Sequence, residues 1–189
     1  MPIDYRILSP TERQRLPEYT RIDQWIKSFM HRSMIGHVAH RNGIQPFITP
    51  TNFWYDEEKH RIIFHSNVSG RTRSNLENEH QVCFETSEYG QLLPSNAALE
   101  FSIQYRSVIA FGNVAIVNDP REKENCLVSL VSKYFPSFRA GIEFRPITNN
   151  ELARTTVYEI LISSWSGKEN WPTQATQIDE WPKLPEELL

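Results

Sequence analysis

Apolar residues recur at helical spacing early in the chain. Ile22, Trp25, Ile26, Phe29 and Met30 share one face, which predicts an amphipathic helix over 21–32 packed on a core. Thr20, with Asp23 three positions on, has the form of its N-terminal cap. The period then shortens. Residues 34–40 alternate, with Ile35, Val38 and Ala39 among polar neighbours, and predict a strand. Arg41-Asn42-Gly43 follows as a hairpin turn, since Asn-Gly accepts the positive φ angles that a tight turn needs. A long strand over 44–55 comes next. Pro46 and Pro50 interrupt its hydrogen-bond ladder, so it belongs at an edge, a bulge or a bend. Residues 56–60 form another turn, and 61–66 the next strand.

Ser74 and Glu77 repeat the capping pattern, which predicts a short helix over 75–79 and then a strand over 81–86. Residues 87–98 have loop composition. Residues 99–117 form one long strand or two broken near Arg106, and Gly112 marks a bulge or a close backbone approach. Asp119, Pro120 and Glu122 start a helix whose buried face is Leu127, Leu130, Val131 and Tyr134, and Pro136 stops it. Residues 137–150 read as loop, 150–154 as one helical turn and 155–165 as a last strand. From Gly167 the chain is polar, with Pro172, Pro182 and Pro185. The divisions are therefore an arm over 1–19, one domain over 20–168 and a tail over 169–189, whose Trp171, Trp181 and Leu184 either pack on a partner subunit or stay mobile. About six strands and three helices, arranged as hairpins, predict a mainly β (α+β) fold, an antiparallel closed sheet flanked by helices.

Composition narrows the function. A chain of 189 residues with 39% hydrophobic and 23% charged residues suits one soluble globular domain. A net charge of −3 argues against broad electrostatic binding to nucleic acid. No apolar run reaches the ~18 residues of a membrane span, and the N-terminus lacks a signal-peptide pattern, so the cytoplasm is the expected compartment. Cys83 and Cys126 lie in apolar runs outside any C-x-x-C motif and read as buried free thiols.

The chemistry concentrates in residues 64–85. A strand empties into a turn holding Ser66, Ser69, Gly70, Arg71 and Arg73, and a helix begins just beyond. Arginine forks onto phosphate oxygens, glycine admits close backbone amides, and a helix N-terminus carries partial positive charge. A solvated turn with two surface arginines has the same composition. Of the six histidines only His65 adjoins this turn, either as a structural ring or as a group acting beside a ligand. No pair has metal-ligand spacing. His37 and His40, three apart in a strand, face opposite ways, so no metal site is expected. Neither a Ser-His-Asp set nor a carboxylate pair can be argued from spacing. No Gly-x-Gly-x-x-Gly element is present, so any nicotinamide would bind without a Rossmann unit.

These motifs, taken in order, resemble the flavin-binding split-barrel proteins related to pyridoxamine 5′-phosphate oxidase, and most closely their nitroimidazole-resistance branch. The resemblance rests on Gln45–Asn52 (QPFITPTN), His65-Ser66, Gly70-Arg71-Thr72, Ser74–Asn78 (SNLEN), Val82–Glu85 (VCFE), Ser107–Val114 (SVIAFGNV), the acidic helix start at 119–123 and Ser166-Gly167-Lys168. It implies a six-stranded antiparallel split barrel that works as a homodimer holding FMN at its interface. By position, Gly70 and Arg71 would hold the phosphate, with His65 and Ser66 lining its approach. Thr49, Pro50, Thr51 and Asn52 would lie along the isoalloxazine ring, Ser107 would face it, and Trp165 would cover its edge or simply pack. Thr72 stands where the family usually has Lys, and Arg73 is the neighbouring cation. The implied chemistry is reduction of a small, nitro-aromatic-type acceptor by reduced flavin. The rival is a non-catalytic flavin- or haem-binding protein on the same barrel. The carboxy-terminal substrate-binding motif of pyridoxamine phosphate oxidation is not found in 165–189.

Overall fold

The computed structural model describes residues 4–188, so residues 1–3 of the arm and residue 189 of the tail lie outside it. It contains eight strands rather than six: β1 Thr20–Arg21, β2 Gly36–Asn42, β3 Gln45–Thr51, β4 Trp54–Asp56, β5 Arg61–Asn67, β6 Gln81–Leu93, β7 Ser102–Ile116 and β8 Thr155–Asn170. Four α-helices accompany them: α1 Asp23–Arg32, α2 Arg71–Asn78, α3 Pro120–Tyr134 and α4 Asn149–Arg154. The strand order is β3-β2-β6-β7-β8-β5-β4, with β1 added on β8, and every strand pair is antiparallel.

That order explains the barrel. β3 and β4 stand at opposite ends of the sheet, yet only Asn52 and Phe53 separate them in the chain. The two edges must therefore meet at Asn52-Phe53 without pairing, which makes a split. The single strand expected over 44–55 is thus two, paired to β2 and to β5. Both prolines fall on β3, whose outer side has no partner strand, where a missing N–H costs least. Phe53 plugs the seam. It is fully buried, packs edge-on to Phe84 at 4.8 Å, and its N–H donates to the Tyr134 hydroxyl at 2.9 Å.

Inward-facing Val38, Ile62, Phe64, Phe84, Val108 and Ile160 fill the barrel, and Ile26, Phe29 and Met30 of α1 pack on the same core. Cys126 and Leu130 of α3 cover Ile63 and Val157 from the other face of β5 and β8. At Gly112 the β7–β8 register shifts, and a Cβ there would collide with the Leu161 carbonyl, which is the close approach that the glycine signalled. The Asn42-Gly43 hairpin forms with Gly43 at φ 59. Asp119 caps α3 by accepting the Glu122 N–H at 2.8 Å.

Several boundaries differ from expectation. Thr20 does not cap α1, because it pairs with Lys168 in the sheet, and α1 starts after Ile22. Residues 87–93 are not loop but the continuation of β6. Their polar composition reflects a strand largely open to solvent. β8 runs five residues past 165, to Asn170, because Gly167 lets the strand pass beneath Trp25 and Ile26. The tail packs on its own chain. The Trp171 ring lies 3.8 Å under the Arg106 guanidinium, Gln104 donates to the Pro172 carbonyl at 2.7 Å, and Asn96 accepts the Ile178 N–H at 2.8 Å.

Candidate functional site at the barrel seam

Helix α2 begins at Arg71, three residues before the expected Ser74 cap, with Gly70 as its N-cap at φ 133. No side chain caps it, so its first N–H groups are left for another acceptor. Arg71 is exposed, lies 5.6 Å from the Phe47 ring centre, and makes no hydrogen bond or ion pair with the described residues. Arg73 differs. It pairs with Glu77 at 2.6 Å and donates to Thr156 Oγ1 at 3.0 Å. In this helical turn two residues are ~200° apart, so Arg73 faces away from Arg71 and does not take up the position of the family lysine.

Thr72 is half-buried and joins a chain of hydrogen bonds. Its Oγ1 is 3.2 Å from Thr49 Oγ1, Thr49 Oγ1 is 2.9 Å from His40 Nε2, and His40 Nδ1 is 3.1 Å from Asn75 Nδ2. His40 is buried, and burial lowers its pKa, which keeps the ring neutral. With Asn75 donating to Nδ1, the other nitrogen donates to Thr49, Thr49 donates to Thr72, and the Thr72 proton is left without an acceptor among the described residues. Asn75 Oδ1 is the one buried side-chain nitrogen or oxygen without a hydrogen-bond partner among the described residues. Neither His40 nor Asn75 was expected at the site. The period-two pattern, which puts His40 on the same inward face as Val38, was the signal available.

Thr49, Pro50 and Thr51 lie on the open edge of β3, and Asn52 follows at the seam. Asn52 and His65 line one cavity of about 580 Å³, walled by Leu127, Leu130 and Tyr134 of α3 and by Phe144. Arg145, also on its wall, is held by Glu151 at 2.7 Å, and that pairing pulls the Glu151 carboxyl down to about 2. His65 opens onto the cavity and has no hydrogen-bond partner among the described residues; burial lowers its pKa, so the imidazole is neutral at pH 7. Thr49 and Asn52 are three residues apart, on the order of 10 Å along a strand. The edge of β3 therefore links the α2 N-terminus to the His65 cavity.

The other expected residues are placed differently. Ser66 turns to the opposite side of β5, 3.1 Å from the Tyr158 hydroxyl. Ser107 borders a small surface pocket with Ile109 and Lys168 on β7 and β8. Trp165 packs on His60 and Tyr55 and donates to Asp23 at 2.9 Å. One chain does not bring Ser107 or Trp165 to the groove. Among the described residues, no helix is long and apolar enough to cross a membrane, and no group of three or more His, Cys, Asp or Glu is placed to hold a metal ion.

Comparison with known proteins places this architecture. The family model described as pyridoxamine 5′-phosphate oxidase matches residues 23–169, and the chain belongs to that family. Among solved structures it is similar to the flavocytochrome Anf3 from Azotobacter vinelandii, at 25% identity and a TM-score of 0.78, covering 90% of this chain and 77% of that one. It shares its fold with the FAD and heme binding protein from Mycobacterium smegmatis, at 20% identity and TM-score 0.72, covering 82% and 75%. The same holds for a candidate 5-nitroimidazole antibiotic resistance protein from Bacteroides thetaiotaomicron, at 19% identity and TM-score 0.67, covering 79% and 84%. No curated protein matches the chain.

Proposed function

We propose that this chain binds a flavin, FMN by preference, along the β3 edge and acts as a flavin-dependent oxidoreductase that reduces a small, nitro-aromatic-type acceptor. The observation that carries the reading is the unpaired Arg71 at the uncapped start of α2, joined through Thr72 and Thr49 to an open strand edge. The donor set fits a phosphate: a guanidinium, helix N–H groups and the Thr72 hydroxyl. The outer edge of β3 at Thr49 to Thr51, which has no partner strand, and Asn52 beyond it fit the polar rim of an isoalloxazine ring. Bound flavin supplies the hydride or electron transfer. The chain orients it, shields it from water with Leu127 and Leu130, and offers His65 as a neutral imidazole able to hold or release a proton.

A homodimer fits the placement of Ser107. It stands near exposed Ile109, where a second copy would carry it toward the partner's flavin. The free thiols Cys83 and Cys126 suit a reducing cytoplasm. A second reading has its own observation. The largely apolar cavity of about 580 Å³ carrying the neutral His65 imidazole suits haem, and the likeness to a flavocytochrome supports it. In that reading the chain is a ligand-binding or electron-carrying protein.

The absorption spectrum of the purified protein, with analysis of the released cofactor, separates these readings. A flavin spectrum that NADH or NADPH bleaches is expected. A Soret band identifies haem, and a blank spectrum after addition of FMN overturns the flavin assignment.

A further inference from the structure

Tyr55 of β4 is fully buried, and its hydroxyl lies 3.0 Å from Nδ1 of His60. It has no other hydrogen-bond partner among the described residues. His60 holds the 56–60 turn with a left-handed backbone, φ 48, and its ring stands exposed at the surface. The half-buried Trp165 indole meets the His60 ring edge-on at 4.6 Å and the Tyr55 ring at 5.6 Å. Three side chains from β4, a turn and β8 thus form one contact cluster running from the core to the surface. A plain packing role for Tyr55 needs only one polar partner. It does not need that partner to be a titratable base lying, with the phenol, against an oxidisable indole.

The protonation states agree with the geometry. Burial, with Glu57, Asp23 and Asp56 nearby, pushes the Tyr55 phenol up to about 12, so it keeps its proton at pH 7. Burial and Lys27 lower the His60 pKa against the opposing pull of Asp23, which leaves a neutral imidazole. His31, whose ring centre is 5.3 Å from that of Tyr55, bonds to Glu57 rather than to the phenol. The buried Tyr55 O–H has no other acceptor among the described residues, so it is assigned as donor to Nδ1, with the Nε2–H tautomer on His60.

We propose that Trp165, Tyr55 and His60 form a redox relay that intercepts strong one-electron oxidants of the oxygen- or peroxide-derived radical class. The oxidant takes one electron through the Trp165 indole and is reduced. The electron is replaced from Tyr55, whose O–H proton moves to His60 Nδ1, leaving a neutral phenoxyl and an imidazolium. A thiol or ascorbate at the surface returns one electron, and His60 returns the proton. The move to Nδ1 matters because a phenol that loses an electron becomes a very strong acid, and oxidation is easiest where a base already accepts its hydrogen bond. The relay stands independently of the flavin reading.

The test is flash oxidation of the 189-residue chain by photogenerated ruthenium(III) tris-bipyridine, with the radical identified by electron paramagnetic resonance. Wild type is expected to give a phenoxyl radical. Tyr55→Phe is expected to lose it and leave an indolyl radical. His60→Asn keeps a residue suited to left-handed backbone but removes the base. It is expected to slow phenoxyl formation roughly a hundredfold, the lower end of what a positioned base contributes, with the fold retained and a modest fall in melting temperature, because the buried Tyr55 hydroxyl loses its partner. An undiminished phenoxyl signal in Tyr55→Phe overturns the proposal. So does a wild-type rate in His60→Asn, which decides the matter even if Tyr55→Phe fails to fold.

Discussion

The hydroxyls of Thr49 and Thr72 lie 3.2 Å apart and tie the open edge of β3 to the first turn of α2. Behind them His40 and Asn75 complete a buried line of donors, so the Thr72 proton is left without an acceptor among the described residues, in the turn where α2 lacks a cap. Thr49→Val removes the link while keeping the shape. It is expected to weaken FMN binding by severalfold, since a neutral hydrogen bond contributes about 0.5–1.5 kcal/mol, and to lower the melting temperature, since the buried His40 Nε2–H loses its acceptor. Fluorescence titration and a melt check the two halves of that statement.

Thr72→Lys supplies the cation found at this position in the resembling branch. Its ammonium would stand beside Arg71, which has no ion-pair partner among the described residues. Tighter FMN binding by about tenfold is expected, in line with the ~1.5–3 kcal/mol of a charge-assisted bond. The gain should shrink as salt rises, because an exposed phosphate contact is screened. Calorimetric titration at two salt concentrations reads both effects.

His65 lines the cavity with its pKa lowered by burial. Its ring resonances should therefore titrate with a midpoint below the ordinary imidazole value of about 6.5. A ligand that excludes more water from the cavity should lower that midpoint further. Nuclear magnetic resonance titration of wild type against His65→Gln assigns the signal, and a midpoint above 6.5 would remove the neutral-imidazole role.

The buried Arg61 anchors a charge cluster between β5, β8 and α3. It donates to Asp56 at 2.8 Å and to Glu159 at 2.6 Å, and it also pairs with Glu122. Arg61→Ala leaves Asp56 buried without its partner and is expected to cost about 3–5 kcal/mol in denaturant unfolding. Lys59 and Arg61 hold the Glu122 carboxyl below its usual pKa. Its contribution is present above pH 4.5 and is lost as pH falls through the lower folded value, so wild type should lose stability on acidification where the Arg61→Ala variant loses less.

The sequence made the barrel legible because its elements bury one face each. The alternation at Val38 and Phe84 and the stripe at Ile26, Phe29 and Met30 survive as core. Residues 87–93 did not show as strand, since Tyr89 and Leu92 face solvent and the pairing with β7 leaves no apolar signature. The split between β3 and β4 was hidden for another reason. Phe53, Trp54 and Tyr55 look continuous as text, and only the strand order shows that the chain crosses from one sheet edge to the other there. At the site, Gly70-Arg71 marked the turn where α2 begins without a side-chain cap, the proposed phosphate seat. The helix starts four residues before the expected 75, because Gly70 is its N-cap and the Ser74–Glu77 pattern lies inside it. The cavity wall from α3 and Phe144 is assembled by tertiary contact and has no local motif.

The most direct measurement of the account is FMN titration of wild type and Arg71→Ala, followed by quenching of flavin fluorescence. The account predicts saturable binding by wild type and affinity at least about tenfold weaker in the variant, the loss of one charge-assisted phosphate contact. Equal affinity in the two proteins would contradict the assignment of Arg71 and the uncapped start of α2 as the phosphate seat.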